Sequence, residues 1–331
     1  MHLEEVNIEG FKSFSENTNM GFQPGIGVIM GNNGVGKSNI LDAIVWAMGE
    51  DDIGRLRCYD PDELFFSGSK KYPPAEKIQV ELIFKENSGK ENSDKESPVI
   101  KLSRELSRDG RSRFRMGDEP CSRSDFSKKL TSLRIEHSLK TIIRQEEIND
   151  LIQLPPQERF SAIQALLEVQ TEADLGRHIR EKVAPIFQRY MSYLMPLAEV
   201  QLEVTSQNGK RGIDVEVTLS GNRIRRAHQL SGGEKAITSL ALKLAVFHLF
   251  DSQFYLLDEV EPSLDYTNHK SMQAFLKDVA ADKQLIMITH LRSTIDLADT
   301  VHGVRTRFDG SSFMKFYFLM DERLLRLYKC C

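Results

Sequence analysis

Gly31-Asn32-Asn33-Gly34-Val35-Gly36-Lys37-Ser38 is a phosphate-binding pattern: two glycines with four residues between them, then Lys-Ser. Ahead of it, Gly27-Val28-Ile29-Met30 is a short apolar run that predicts a strand. Behind it, the apolar residues of Asn39 to Met48 recur at 40, 41, 44, 45 and 48, which is helical spacing. Strand, glycine loop and helix together form the context that confirms the motif. The glycines let the backbone curl so that successive N–H groups face phosphates, and the helix N-terminus adds its positive end. Asn32, Asn33, Gly34, Val35, Gly36, Lys37, Ser38 and Asn39 are therefore candidate nucleotide-binding residues. Lys37 is placed to reach the outer phosphates, and the Ser38 hydroxyl to ligate Mg²⁺.

The chain has 331 residues, enough for two ordinary domains or one large α/β domain. Its 40% hydrophobic and 28% charged content is that of a soluble globular protein. A net charge of −4 excludes a polycation that coats nucleic acid, so any DNA contact must come from a local patch. No run of about 18 apolar residues predicts a membrane span. Met1-His2-Leu3-Glu4-Glu5 lacks the basic region and apolar core expected of a secretory signal. Cys58, Cys121, Cys330 and Cys331 form no C-x-x-C pair, so neither disulfides nor structural zinc are expected, and a reducing cytosolic compartment fits.

Further along, strands are predicted at Leu3 to Ile8, Lys77 to Phe84, Val99 to Leu106 and Arg113 to Met116, with a solvated loop from Glu86 to Pro98. Ser124 to Leu133, Pro156 to Val169 and Glu172 to Tyr193 read as helices, and heptads are not sustained. Two strands, Val200 to Thr205 and Ile213 to Leu219, flank a hairpin signal at Gln207-Asn208-Gly209-Lys210. Glu234 to Phe250 is a strong helix with one apolar stripe. A helix at Asn268 to Ala281 lies between the apolar strands Phe254 to Leu257 and Leu285 to Thr289. Strands and helices alternating in this way predict an α/β fold with a largely parallel core sheet.

Phe254-Tyr255-Leu256-Leu257 delivers Asp258 and Glu259 at its C-terminal end, where open α/β sheets bind ligands. Two neighbouring acids can divide the work, Asp258 on Mg²⁺ and Glu259 as base toward an attacking water. Leu230-Ser231-Gly232-Gly233-Glu234-Lys235 opens the strong helix with a Ser N-cap and two glycines, a second helix start able to bind an anion.

In order, the phosphate loop, Gln145, Leu-Ser-Gly-Gly, Leu-Leu-Asp-Glu and Thr-His resemble the ATP-binding-cassette superfamily. Within it the chain resembles the head of an SMC (structural maintenance of chromosomes) protein. Gly10-Phe11-Lys12-Ser13-Phe14, Gly36 to Ile40, Leu64 to Ser69, Leu230 to Lys235, Leu257 to Val260 and Ile288-Thr289-His290 carry that likeness. It implies an ABC-type ATPase head with a mixed sheet core, flanking helices and an antiparallel β subdomain. It further implies that Gln145 senses Mg²⁺ and the attacking water, and that Ser231, Gly232 and Gly233 close on the γ-phosphate bound by a second head. Asp265 resembles an acid crossing the dimer seam, and His290 a switch residue near the γ-phosphate. Arg57 resembles an arginine beside the phosphates that links DNA binding to hydrolysis, while Lys12 and Ser13 border the nucleotide. The pattern departs from the family at Arg144-Gln145-Glu146-Glu147 and at Glu261-Pro262-Ser263-Leu264-Asp265.

In such proteins a long antiparallel coiled coil and a hinge separate the two head halves. Here the expected halves are 1–170 and 191–331, with 171–190 as a short joint in their place. The resemblance implies ATP and Mg as cofactors and a second head joined through ATP. It also implies duplex DNA and a kleisin-type subunit as partners, no membrane, and a cytoplasmic, nucleoid-associated setting. Arg104, Arg108, Arg111, Arg113 and Arg115, with Arg123, Lys128 and Lys129 nearby, form the basic stretch considered for DNA. The alternatives are a RecN-type or related double-strand-break repair ATPase, a transporter ATPase subunit, and a nucleotide-locked clamp without turnover. Glu234-Lys235 after the glycines and the strand-rich insertion at 77–116 oppose the transporter. Intact Lys37, Asp258 and Glu259 oppose the inert clamp.

Overall fold

The computed structural model describes residues 1–86, 98–207, 209–219, 223–260 and 269–319. The chain forms two compact units, each drawn from separate stretches. The first combines 1–142, 252–258 and 282 onward; the second combines 143–251 and 259–281. These units cut across the sequence-ordered pieces 1–170, 171–190 and 191–331.

The first unit holds two sheets. One is antiparallel throughout, in the order Thr18–Gly21, His2–Glu9, Lys77–Lys85, Val99–Ser107, Ser112–Met116, Glu119–Cys121. The other runs Ser312–Leu319, Thr300–Thr306, Ile26–Met30, Gln284–Ile288, Phe254–Asp258, with Ile142–Ile143 at its edge. Its central pairings are parallel and only its Ser312–Leu319 strand is known to pair antiparallel among those described. This is the mixed core sheet with an antiparallel β subdomain that was expected. The helix after the glycine loop, Lys37–Ala47, shares one core with residues of both sheets, among them Val6, Leu82, Leu256 and Ile288. Nine of its eleven residues are buried, more than the single stripe read from the sequence, because a helix between two layers needs apolar side chains nearly all round. Phe84 stacks on Phe254 at 6.2 Å, joining the two sheets directly.

The second unit packs a three-stranded antiparallel sheet (Arg223–Arg226, Lys210–Leu219, Glu199–Gln207) with helices that include Pro156–Leu167, Ala184–Leu194, Gly232–Phe247 and His269–Val279. The single helix expected from Glu172 to Tyr193 is instead Glu172–His178, a π turn at Ile179–Val183, then Ala184–Leu194. Pro185 has no N–H to donate back to Glu181, so regular α bonding cannot run through that point.

Several strands were not foreseen: Thr18–Gly21, Glu119–Cys121, Arg223–Arg226 and the final pair Thr300–Thr306 and Ser312–Leu319. The final pair is hidden by its own packing. Gly303 interrupts the apolar run because Phe316 fills the place of its side chain, 2.3 Å from where a Cβ would stand. His302 is buried between Phe22 and Tyr317, and desolvation lowers its pKa to about 4. The loop expected between Glu86 and Pro98, Asn208 of the hairpin signal, Asp265, and Cys330 and Cys331 lie wholly or mainly outside the described residues.

Candidate functional site

Ile26–Met30 is buried over four of its five residues and leads into Gly31. The backbone turns left-handed at Gly34 (φ 77°) and Gly36 (φ 94°). At Gly36 space is also lacking: a Cβ there would stand 2.4 Å from Ser13 Oγ and 2.5 Å from Ser312 Oγ. Gly36 is the N-cap of Lys37–Ala47, and that end has no side-chain cap bond and no acidic residue in its first turn. The positive end of the helix is thus left without a counter-charge from its own first turn. Asn32, Asn33 and Gly34 are exposed above it, while Val35 is buried and its carbonyl accepts from Ser312 Oγ at 2.7 Å.

Lys37 is buried within the loop. Its ammonium donates to the carbonyls of Gly31 (2.9 Å) and Asn32 (3.0 Å) and lies 3.0 Å from His290 Nε2. An ammonium has three donors and no acceptor, so this contact calls for a neutral His290 with its lone pair on Nε2. His290 follows Gln284–Ile288, which pairs in parallel with Ile26–Met30, so both chains end at the same edge. One strand further, Asp258 ends Phe254–Asp258, and its Oδ1 accepts from Ser38 Oγ at 3.1 Å. Among the described residues no three His, Cys, Asp or Glu gather as a metal site. One hydroxyl and one carboxylate in contact do fit Mg²⁺, which takes few protein oxygens and fills its remaining positions with water and substrate phosphates.

Beside the loop, Asn39 Nδ2 donates to Ser13 Oγ at 2.9 Å, and Lys12 Nζ to Asp42 Oδ2 at 2.6 Å. Lys12, Ser13, Asn39 and Arg57 line one open groove of about 830 Å³, together with Phe65 and Phe66. Cys58 also lines it, with its thiol pKa raised by burial. Lys12 (φ 48°) and Arg57 (φ 56°) are left-handed non-glycine residues, as is Glu259 (φ 47°). Asp42 was missed by the sequence reading. Its one available signal was a lone carboxylate inside an otherwise apolar helical run.

The remaining candidates belong to the second unit. Ser231 is the N-cap of Gly232–Phe247; its Oγ accepts from Glu234 N at 3.4 Å, and Glu234 Oε2 accepts from Ser231 N at 2.7 Å. That reciprocal capping box, which the sequence reading passed over, draws the Glu234 carboxyl below the usual carboxylate range, chiefly through the Ser231 backbone N–H. Gly232 is exposed, and nothing stands within 4 Å of where its Cβ would be. Gln145 is exposed on a 3₁₀ turn, Gln145–Glu147. Lys243 of the long helix donates to the Glu147 carbonyl, a bond that ties this turn to the helix and was not foreseen. Burial lowers the Lys243 pKa. Glu259 directly follows Asp258 in the chain and is half-buried.

The basic stretch divides. Arg104 is a correction: it is buried, not a surface contact. It donates to the carbonyls of Trp46 (2.7 Å) and Glu50 (3.0 Å), pairs with Asp51, and lies over the Trp46 ring at 4.5 Å. It closes the C-terminal end of the loop helix, and desolvation brings its pKa down to about 10. Arg111, Arg113 and Arg115 are exposed, while the alternating Phe114 points into the core. Arg111 pairs with Asp109, Arg113 with Glu105 at 3.4 Å, Arg123 with Asp51, and Lys128 with Asp125 at 3.6 Å.

A family model described as "RecF/RecN/SMC N terminal domain" matches residues 2–312. The chain is 36% identical over 168 residues to the chromosome partition protein Smc of Halobacteriovorax marinus, covering 50% of this chain and 14% of that protein. Against the protein of the same name from Mycolicibacterium paratuberculosis it is 27% identical over 229 residues, 68% of this chain and 18% of that one. The chain thus spans less than a fifth of either relative. Among solved structures, an SMC head bound to the C-winged helix domain of ScpA superposes with a TM-score of 0.84 at 28% identity, covering 98% of this chain and 99% of that one. The SMC head domain from Thermotoga maritima gives 0.66 at 28% identity, covering 97% and 100%. No helix among the described residues is long and apolar enough to cross a membrane.

Proposed function

The chain belongs to the RecF/RecN/SMC N-terminal domain family as an SMC-type head, and from that premise we propose that it is an ATPase of chromosome organisation whose heads pair around two ATPs. The observation that carries this reading is the junction of three parallel strand ends. There Lys37 is folded onto its own loop beside His290, and Ser38 meets Asp258.

ATP phosphates lie on the N–H groups of Asn32 to Asn39, and the ammonium of Lys37 exchanges its loop carbonyls for phosphate oxygens. The nucleoside lies along the groove walled by Lys12, Ser13 and Arg57. Ser38 and Asp258 would hold Mg²⁺, which would supply neutralisation of charge on the phosphates; by family resemblance Gln145 would be the residue that senses the ion and the attacking water. Glu259 accepts the proton of the attacking water, and His290 senses the γ-phosphate through its contact with Lys37. Ser231, Gly232 and Gly233 of a second copy close the site, with Asp265 at the seam. Catalysis here is positioning and electrostatic stabilisation, with no covalent intermediate.

A kleisin-type subunit is the proposed protein partner, as ScpA is for a solved relative. Duplex DNA is the proposed nucleic-acid partner, through the exposed Arg111, Arg113 and Arg115 but not Arg104. A phosphate-release assay tests the enzyme reading. The protein should release phosphate from Mg-ATP, and Glu259→Gln should lower that rate by about 100-fold or more while nucleotide still binds. Equal turnover in Glu259→Gln would remove Glu259 as the base, and no turnover in the parent protein would leave the inert clamp.

A further inference from the structure

One buried carboxylate ties together two strained turns on the groove wall. Asp42 is fully buried on the loop helix. Its Oδ2 accepts from Lys12 Nζ (2.6 Å) and from Arg57 Nε (3.1 Å) and Nη2 (2.7 Å). Lys12 Nζ also donates to the carbonyl of Leu56, at 2.5 Å, so it grips the backbone just ahead of Arg57. Asn39 and Asp42 stand three apart on one helix face and hold consecutive residues, Ser13 and Lys12. Lys12 and Arg57 adopt left-handed backbone that non-glycine residues take up only at a cost. Burying the Asp42 carboxylate against the nearly buried Lys12, with the exposed Arg57 at its edge, is also a poor source of stability, since apolar side chains of the same volume serve as well. Lys12 and Arg57, the two residues Asp42 holds, line the same groove as Asn39.

We propose that Asp42 is a positioning residue, which sets Lys12 and Arg57 against the nucleoside triphosphate held by the Gly31–Ser38 loop. This rests on the nucleotide reading above. With the carboxylate in place, two cations share one negative charge and the guanidinium is held by its Nε edge. With Asp42→Asn, two cations face each other without an anion, and the Arg57 turn keeps its backbone bonds but loses its charge-assisted anchor.

The test is a double-mutant cycle of Asp42→Asn and Arg57→Ala, read as ATP turnover and KM, with trypsin cleavage after Arg57 followed in the absence of nucleotide. Asp42→Asn should lower kcat about tenfold or more. On the Arg57→Ala background the same change should cost less than about twofold, because the two act as a unit. Trypsin should cut after Arg57 faster in Asp42→Asn than in the parent. Losses that multiply, or an unchanged cleavage rate, would overturn the proposal. If Asp42→Asn does not fold, Lys12→Met and Arg57→Gln serve instead. A double loss no larger than the greater single loss supports the clamp, and multiplied losses refute it. ATP binding that survives Lys37→Ala would overturn the nucleotide reading, whereas the trypsin comparison judges the clamp without nucleotide.

Discussion

Two helices of this molecule begin where a phosphate is expected, and they begin differently. Lys37–Ala47 starts at a left-handed glycine, with no side-chain cap bond and no acid in its first turn. Gly232–Phe247 starts at a serine, with Glu234 folded back onto the Ser231 N–H. The first end keeps its positive field for a ligand. The second neutralises much of its own, since the carboxylate sits where an anion would gain most from the helix dipole. Nucleotide affinity should therefore reside at the first end, while the second contributes only once another copy supplies a phosphate already held.

The largest effect expected from breaking this contrast is at Lys37. Lys37→Ala should weaken ATP binding by about 100-fold or more, read by titration with a labelled nucleotide, because it removes a charge-assisted contact in a buried setting. Ser231→Ala should leave the affinity of the isolated chain within about threefold, since it removes a cap rather than a phosphate cradle.

A second comparison sets glycine against glycine. Gly36→Ala places a Cβ against Ser13 and Ser312 at a left-handed φ, and should cost about 1–3 kcal/mol in chemical denaturation. Gly232→Ala meets nothing within 4 Å and should change stability by less than about 0.5 kcal/mol.

The smallest effect concerns the capping box. Glu234→Gln should cost about 0.5–1 kcal/mol at neutral pH, less if the amide keeps the bond to Ser231 N. The Glu234 pKa is lowered in the folded protein, so its contribution is full above the unfolded carboxyl pKa and fades as pH falls through the folded value. Denaturation midpoints of the parent and Glu234→Gln should therefore converge in acid, and a constant gap down to low pH would show that the carboxylate does not stabilise this end.

The sequence made the first end legible because its chemistry is local: glycine spacing, Lys37, Ser38 and flanking periodicity all lie between Gly27 and Met48. Asp258 and His290 were equally plain, each closing an apolar strand. The capping box could have been read, since Ser231-Gly232-Gly233-Glu234 has the Ser-x-x-Glu spacing before an apolar run. Asp42 and Arg104 could not be placed in the same way. Asp42 acquires its meaning from Lys12 and Arg57 on two other loops, and Arg104 from the end of a helix 54 to 58 residues away in the chain. The final strands were obscured because Gly303 and His302 are explained only by the aromatic side chains packed on them.

The central claim, that the second helix start acts only across a pair of heads, is tested most directly by molar mass from light scattering of Glu259→Gln with saturating ATP and Mg²⁺. The amide keeps a hydrogen-bonding side chain but loses the base, so ATP should stay intact and hold two chains together, giving twice the monomer mass. Adding Ser231→Arg, which puts a bulky cation where the partner's phosphate belongs, should return the mass to that of one chain without loss of ATP binding. A monomer for Glu259→Gln under these conditions, or a dimer that survives Ser231→Arg, would contradict the account.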